Sequence, residues 1–321
     1  MATFRDTFMP HFKGHPEGWL PAEKDCHWCQ IATYKTHGTA YVSIINRVDE
    51  VPLQTNFLFI ESSEPGEGII LPDPNFFSGC DCRKSGHCKT GRCTCHQDMA
   101  DPDDVVYETI DGKSYLSEEF LESRDPIYEC HSACSCPALK CPNRVVERGR
   151  TIPLTIFRTT DGRGWGVKSP NNIKKGQFVD CYIGEIITAE ETEIRRQNSD
   201  VAAKKDVYLF ELDKFKDDAS RDESLAETVY IDGEFKSGPS RFINHSCDPN
   251  LRIFARVGDH AMKRFHELAF FAIKDIPHDT ELTFDYVDGE DKLEQSQRDP
   301  SQRKEMTRCL CKSKKCRGYL W

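Results

Sequence analysis

Residues 241–250 read RFINHSCDPN, and the reading of Cys247 within that stretch decides how the chain is organised. The cysteine sits beside Asn244 and His245 in a polar segment that ends in the turn-forming Asp248-Pro249-Asn250. A nucleophile served by His245, a metal ligand and a small residue in a turn all fit the local string. The nucleophile is the weakest of the three, on the expectation that side chains two residues apart in an extended chain face opposite ways and do not meet. A partner for the ligand reading lies downstream. Residues 309–316, CLCKSKKC, offer three thiolates in a C-x-C-x4-C spacing where structural zinc takes four ligands. Cys247 with Cys309, Cys311 and Cys316 therefore forms a candidate metal set.

A denser set lies upstream. Residues 80–95, CDCRKSGHCKTGRCTC, and 130–141, CHSACSCPALKC, hold Cys80, Cys82, Cys88, Cys93, Cys95, Cys130, Cys134, Cys136 and Cys141. Thiolates are soft anionic ligands that suit zinc. The N-terminus lacks a secretory layout, so sixteen cysteines are expected to stay reduced. Nine thiolates cannot fill a whole number of separate four-ligand sites, but they hold three zincs when three sulfurs bridge. The expectation is a trinuclear cluster that staples the fold, and four zinc ions in all. The knots lack the Cys-then-His pattern of a DNA-reading finger. Cys26 and Cys29, near Trp28, and Cys181 in FVDCYIGEII read as packed thiols.

The formal net charge of −10 argues against neutralising nucleic-acid phosphates as the main activity and suits a basic partner. No apolar run reaches the length that crosses a bilayer, and a soluble intracellular protein is expected. Four regions separate by composition: 1–75, mixed; 76–145, cysteine-rich; 150–290, strand-rich; and 291–321, the tail. TIPLTIFRT, QFVDCYIGEII, DVYLFEL, TVYIDG, LRIFARV, LAFFAIKDI and ELTFDYV are short β-branched and aromatic runs bounded by Gly, Pro and Asp. AEETEIRRQN (189–198) is the best helix, and 98–104, 213–227 and 288–308 read as exposed polar loops. The fold class is mostly β.

GWGV (164–167), YIGE (182–185), RFINHSCDPN, ELTFDYV (281–287) and the cysteine tail together resemble the SET-domain lysine methyltransferases. With the nine-cysteine segment in front as a pre-SET module, the chain is similar to the Su(var)3-9 class, which methylates lysine 9 of histone H3, and to its short filamentous-fungal members without a chromodomain. The resemblance covers roughly residues 75–321. It implies a SET β-fold with a C-terminal pseudoknot, a zinc-bound post-SET tail, S-adenosylmethionine on one face and a lysine channel from the other.

By the same match Tyr286 is the catalytic tyrosine and Tyr182 a second active-site tyrosine. Phe284 falls at the product-state position, where phenylalanine leaves a methylated amine room to turn and react again, which implies di- to trimethylation. Gly164, Trp165, Gly166, Tyr208, Arg241, Phe242, Asn244, His245 and Leu310 match cofactor contacts, and Trp321 a wall of the lysine channel. A free lysine has a pKa of about 10.4, and burial beside a sulfonium lowers it, so no dedicated base is required. The implied partner is the histone H3 tail, added to a strand edge, with recruiting proteins, no sequence-specific nucleic acid and no membrane. The implied location is the nucleus, at heterochromatin. A catalytically silent zinc-stapled histone reader is the competing function; the presence of Tyr286, Asn244, His245 and all the tail cysteines favours the enzyme.

Overall fold

The structure, a computed structural model, describes residues 26–35, 40–73, 75, 77–83, 88, 93–198, 208–216, 227–258, 260–287 and 307–320. Its strands follow the β-branched and aromatic runs of the sequence. Leu154–Arg158 and Trp165–Lys168 form an antiparallel hairpin, and Gly162 and Gly164 turn it at φ of 87° and 86°, a region L-residues avoid. This hairpin lies in a five-stranded sheet, between Val42–Ile45 on one side and Glu281–Phe284 followed by Asn244–His245 on the other.

A second sheet stacks Ile127–Tyr128, Leu251–Val257, Glu267–Ala272 and Phe178–Tyr182. Glu267–Ala272 is central and buries five consecutive residues, as expected of a strand covered on both faces. A third sheet orders Leu209–Glu211, Val229–Asp232, Glu185–Thr188 and Glu64–Pro65. One core joins the three sheets, with Leu154, Ile156, Val167, Val179, Leu251, Phe270 and Leu282 at its centre. The helix predicted at 189–198 is present as Ala189–Asn198, with Glu190 and Glu191 in its first turn and Arg195 and Arg196 in its last, matching the helix dipole. A shorter helix, Glu118–Glu122, has no counterpart among the sequence expectations; the Ser117 hydroxyl caps it by accepting from the Phe120 N–H.

The N-terminal residues from 42 onward are part of these sheets or pair with segments beside them. Val42–Ile45 pairs in parallel with Leu154–Arg158, Leu58–Phe59 with Lys236–Ser237, and Glu64–Pro65 with Glu185–Ile186. Phe57 and Phe59 meet Phe242 at ring distances of 5.2 and 6.1 Å. Of the two N-terminal cysteines, Cys29 is fully buried on the helix His27–Ala32, and Cys26 is its N-cap.

Buried ions tie the cysteine module to the sheets. Arg256 reaches Glu129 at 3.2 Å, Glu147 at 2.7 Å and Glu267 at 2.5 Å. Glu129, wholly buried, also accepts from the Tyr107 hydroxyl and the N–H groups of Val145, Val146 and Glu147. A buried charge is tolerated only when paired and hydrogen-bonded in this way.

Finally, Asn244–His245 pairs in parallel with Thr283–Phe284. Ser246 N–H donates to Phe284 O at 3.0 Å, and the Asn250 side chain both donates to Glu281 O and accepts from Thr283 N–H at 2.8 Å. The two segments that the resemblance expects to form the pseudoknot therefore lie side by side.

Candidate active site

Two cavities lie at this crossing. The first, of about 500 Å³, is lined by Gly164, Trp165, Tyr208, Arg241, Phe242, Asn244, His245 and Leu310, together with Arg163, Gln54, Leu320 and Tyr286. Its size is that of a small-molecule site. Eight of the nine residues expected at the cofactor are there. The ninth, Gly166, lies behind the wall; a Cβ on it would stand 2.8 Å from Glu281 Oε1 and 3.2 Å from Asn244 Nδ2. Trp321 lies outside the described residues.

Around this cavity the side chains are held tightly. The Arg241 guanidinium stacks 4.2 Å from the Tyr208 ring and 4.8 Å from that of Phe242, and donates to Gly233 O, Glu234 O and Gln54 Oε1. Arg163 is gripped by Asp161 at 2.8 Å and Glu281 at 2.6 Å, and Asn244 Nδ2 donates to Glu281 Oε1 and Trp165 O. Arg163, Glu281 and Gln54 were not singled out from the sequence. Arg163 directly precedes the quoted GWGV run, yet as a surface-turn residue it carried no mark of a buried ion pair.

The second cavity, of about 660 Å³, is lined by Phe210, Leu251, Ile253, Leu268, Phe284 and Tyr286, with Glu211, Asp213 and Asp248 among charged residues of both signs at its rim. Of the acidic stretch 213–227, residues 213–216 and 227 are described. An aromatic row runs along its wall, Phe210 to Phe284 at 5.9 Å and Phe284 to Tyr286 at 4.6 Å; Tyr182, 4.3 Å from Phe210, stands behind it and lines a separate cavity. The Tyr182 hydroxyl donates to Tyr208 O at 2.8 Å and so fixes the backbone of a first-cavity residue.

Tyr286 lines both cavities. Its hydroxyl donates to Ile243 O at 2.8 Å, and its N–H donates to His245 Nδ1 at 3.2 Å. Burial raises the phenol above its ordinary pKa, so it stays protonated.

His245 and Cys247 do meet, contrary to the sequence expectation: Nε2 lies 3.2 Å from Sγ. The pleat has a period of two, so residues i and i+2 share a face. Proximity does not make them a nucleophile and base. Nδ1 accepts from Tyr286 N–H, which leaves Nε2–H as a donor to the sulfur. Burial also lowers the imidazole to about 4, against the raising influence of Asp285.

The sulfur of Cys247 is instead grouped with Cys309, Cys311 and Cys316, all four sulfurs lying within 4.8 Å of one another. Cys247 and Cys309 are 3.8 Å apart, the edge of a tetrahedron with zinc–sulfur bonds of about 2.3 Å. Burial works to raise the Cys311 thiol, but hydrogen bonds from Cys247 and Ser313 bring it down to about 6. Arg317 adds a fork, its two terminal nitrogens each donating to an Asp285 oxygen at 2.6 Å. Neither Arg317 nor Asp285 was marked in the sequence, although Asp285 sits inside FDY.

The nine cysteines of the two upstream knots form one buried cluster. Cys130 Sγ is 3.8 Å from both Cys80 and Cys93, and Cys95 is 3.5 Å from Cys134. Cys80, Cys88, Cys93 and Cys130 each fall in more than one four-sulfur group, an arrangement that lets sulfurs be shared between metals. Buried Arg144 donates to Cys136 Sγ at 3.3 Å, and the N–H groups of Cys80 and His131 point at Cys134 Sγ, which suits anionic sulfur.

Residues 164–287 match the SET domain family and residues 34–144 the Pre-SET motif. The chain is 53% identical over 98% of its length to the Neurospora crassa histone-lysine N-methyltransferase, H3 lysine-9 specific dim-5, covering 99% of that protein. The chain belongs to the SET-domain histone-lysine N-methyltransferases. The solved structure of the Neurospora SET domain protein DIM-5 superposes on this methyltransferase with a TM-score of 0.73, covering 85% of the present chain and all of the other. KRYPTONITE, solved in complex with mCHH DNA, an H3(1-15) peptide and SAH, is 27% identical with a TM-score of 0.68, over 96% of this methyltransferase and 57% of the longer chain.

Proposed function

We propose that this methyltransferase transfers methyl groups from S-adenosylmethionine to lysine 9 of histone H3, to the trimethyl state, in the nucleus at heterochromatin. The observation that carries the chemistry is the place of Tyr286, which lines both the polar, arginine-bearing cavity and the aromatic one. The lysine-9 assignment is supported by 53% identity over nearly the whole chain to a relative named for that specificity.

In this reading the first cavity holds the methyl donor. Arg241, held only by neutral oxygens, offers charge to a carboxylate, Trp165, Tyr208 and Leu310 offer apolar faces, and the backbone at Gly164 allows close approach. When bound, the donor supplies a methyl group on a sulfonium sulfur. The chain's residues do the rest. The aromatic row Phe210, Phe284 and Tyr286, backed by Tyr182, strips water from an entering lysine, and desolvation lowers its pKa from about 10.4 toward the neutral, nucleophilic amine. The Tyr286 oxygen, its proton already committed to Ile243 O, accepts a hydrogen bond from that amine and aims its lone pair across the junction. Holding two reactants in line is itself a large part of such catalysis.

The histone tail would add along Leu209–Glu211, an edge strand whose Phe210 and Glu211 line the second cavity. Zinc would be structural: three ions shared by the nine-cysteine cluster and one held by Cys247, Cys309, Cys311 and Cys316. Mass spectrometry of an H3 tail peptide incubated with the intact chain and S-adenosylmethionine tests the function. The expected product is trimethylated at lysine 9, with no product from a peptide bearing arginine there. Methylation that ignores the substitution, or none by zinc-loaded protein, contradicts it.

A further inference from the structure

A third cavity lies away from the chemistry. It is a groove of about 1110 Å³ between the hairpin Tyr107–Leu116, the loop after the second cysteine knot and residues 171–178. It shares no lining residue with either active-site cavity. Lys113, Lys140, Arg148 and Lys174 line it, and all four are exposed. No aspartate or glutamate lines it, although the chain as a whole carries a net charge of −10.

Three carboxylates stand close to it in the sequence. Glu108 lies directly across the hairpin from Tyr115, a groove residue, and exposed Asp111 sits in the turn two residues before Lys113, although neither lines the groove. Glu147, next to Arg148, is taken by Arg256 at 2.7 Å. The thiolate cluster behind the groove has its own cation in Arg144, which is 4% exposed and bonded to Cys136 Sγ. None of the four groove cations forms an ion pair within the described residues, although the cysteine cluster behind them keeps negative charge that Arg144 offsets only in part. Concave, low-dielectric walls focus such a field outward. Asn171 and Asn172, both exposed, add neutral donors between the lysines, a residue type that commonly contacts phosphate oxygens.

We propose that this groove binds the phosphate backbone of double-stranded DNA, without reading its sequence. The inference rests on charge complementarity and not on the methyl-transfer reading. Because the groove is separate from both active-site cavities, DNA and a peptide substrate can be held together. Leu139, 88% exposed beside Lys140, is the feature that an acidic protein partner would use instead.

The test is fluorescence anisotropy of a labelled duplex of mixed sequence with the intact, zinc-loaded chain. Four phosphate contacts predict that log affinity falls against log salt with a slope of about −3 to −4, or about 100-fold between about 50 and about 200 mM. Lys113→Gln/Lys140→Gln/Lys174→Gln is expected to bind at least tenfold more weakly, with a slope shallower by about 3, and to methylate a free peptide at the unaltered rate. Arg148 is left in place because it also donates to Cys141 O. If the triple variant loses peptide methylation, Lys113→Gln and Lys174→Gln alone carry the test, each reducing the slope by about 1. Leu139→Ser is expected to leave duplex affinity unchanged. No duplex binding at low salt, lysine variants that bind as tightly as the parent, or capture of polyglutamate in preference to duplex overturns the proposal.

Discussion

Phe284 is the residue on which the number of methyl groups added should turn. It is 4% exposed and packed 4.6 Å from the Tyr286 ring and 4.9 Å from that of Phe270, with no hydroxyl facing the aromatic cavity. Phe284→Tyr introduces a phenol that needs a partner once buried, and the amine or a held water is what it would find. Product mass spectra are expected to shift from trimethyl toward monomethyl at nearly unchanged overall turnover; an unchanged product spectrum would show that this position does not set the limit. His266 makes a separate, pH-dependent contribution. Burial lowers its pKa from 6.5 to about 4, while its ring stays bonded to Lys263 O at 3.0 Å. Between those values the unfolded chain binds the extra proton, so stability is full above pH 6.5 and is lost as pH falls toward 4. The loss is about 3 kcal/mol, and His266→Gln should flatten that part of a denaturation-versus-pH curve. These two residues mark what a single position discloses in a sequence. Phe284 stood out because it lay inside a recognisable motif. His266 did not, since burial belongs to the packed sheet and not to the residue. His245 and Cys247 were legible as a polar pair but were misread, because the pleat period was taken as opposing i and i+2.

At the level of elements, the tail is held to the catalytic strands twice, by the Cys247 sulfur group and by the Arg317–Asp285 fork. Cys247→Ser is expected to lower bound zinc from four ions to three and to weaken cofactor binding, since Leu310 and Leu320 of the tail line that cavity. Arg317→Ala should weaken cofactor binding less and leave the zinc count at four, because the fork and the metal act in parallel. Metal analysis paired with calorimetric titration of the cofactor separates the two, and equal losses of zinc in both variants would contradict the assignment. The tail was legible from C-x-C-x4-C spacing and the shortage of a fourth thiolate. Its second attachment was not, because an arginine and an aspartate 32 residues apart leave no periodic signal. The long strands were readable from their β-branched runs, whereas Leu58–Phe59 and Glu64–Pro65 are two residues each and exist only through distant parallel partners.

The whole molecule is a layered clamp, with N-terminal strands, a cysteine module and a tail brought onto three central sheets around one crossing point. Arg256 is central to that assembly, and removing it leaves wholly buried Glu129 without its counter-charge. Arg256→Met is expected to destabilise the fold by about 3–5 kcal/mol, read by chemical denaturation, while a loss below 1 kcal/mol (about the worth of a surface pair) would place the charge in solvent. The N-terminal wrapping was the least legible feature, because its partners lie more than a hundred residues away and its own runs are short. The account as a whole rests on Tyr286 as the junction between donor and lysine. The direct measurement is cofactor affinity and single-turnover methyl transfer to an H3 peptide in Tyr286→Phe beside the parent chain. The prediction is affinity within a few-fold of the parent and transfer slower by about 100-fold or more. Transfer at the parental rate, or a loss of cofactor binding that alone explains the slower turnover, would contradict it.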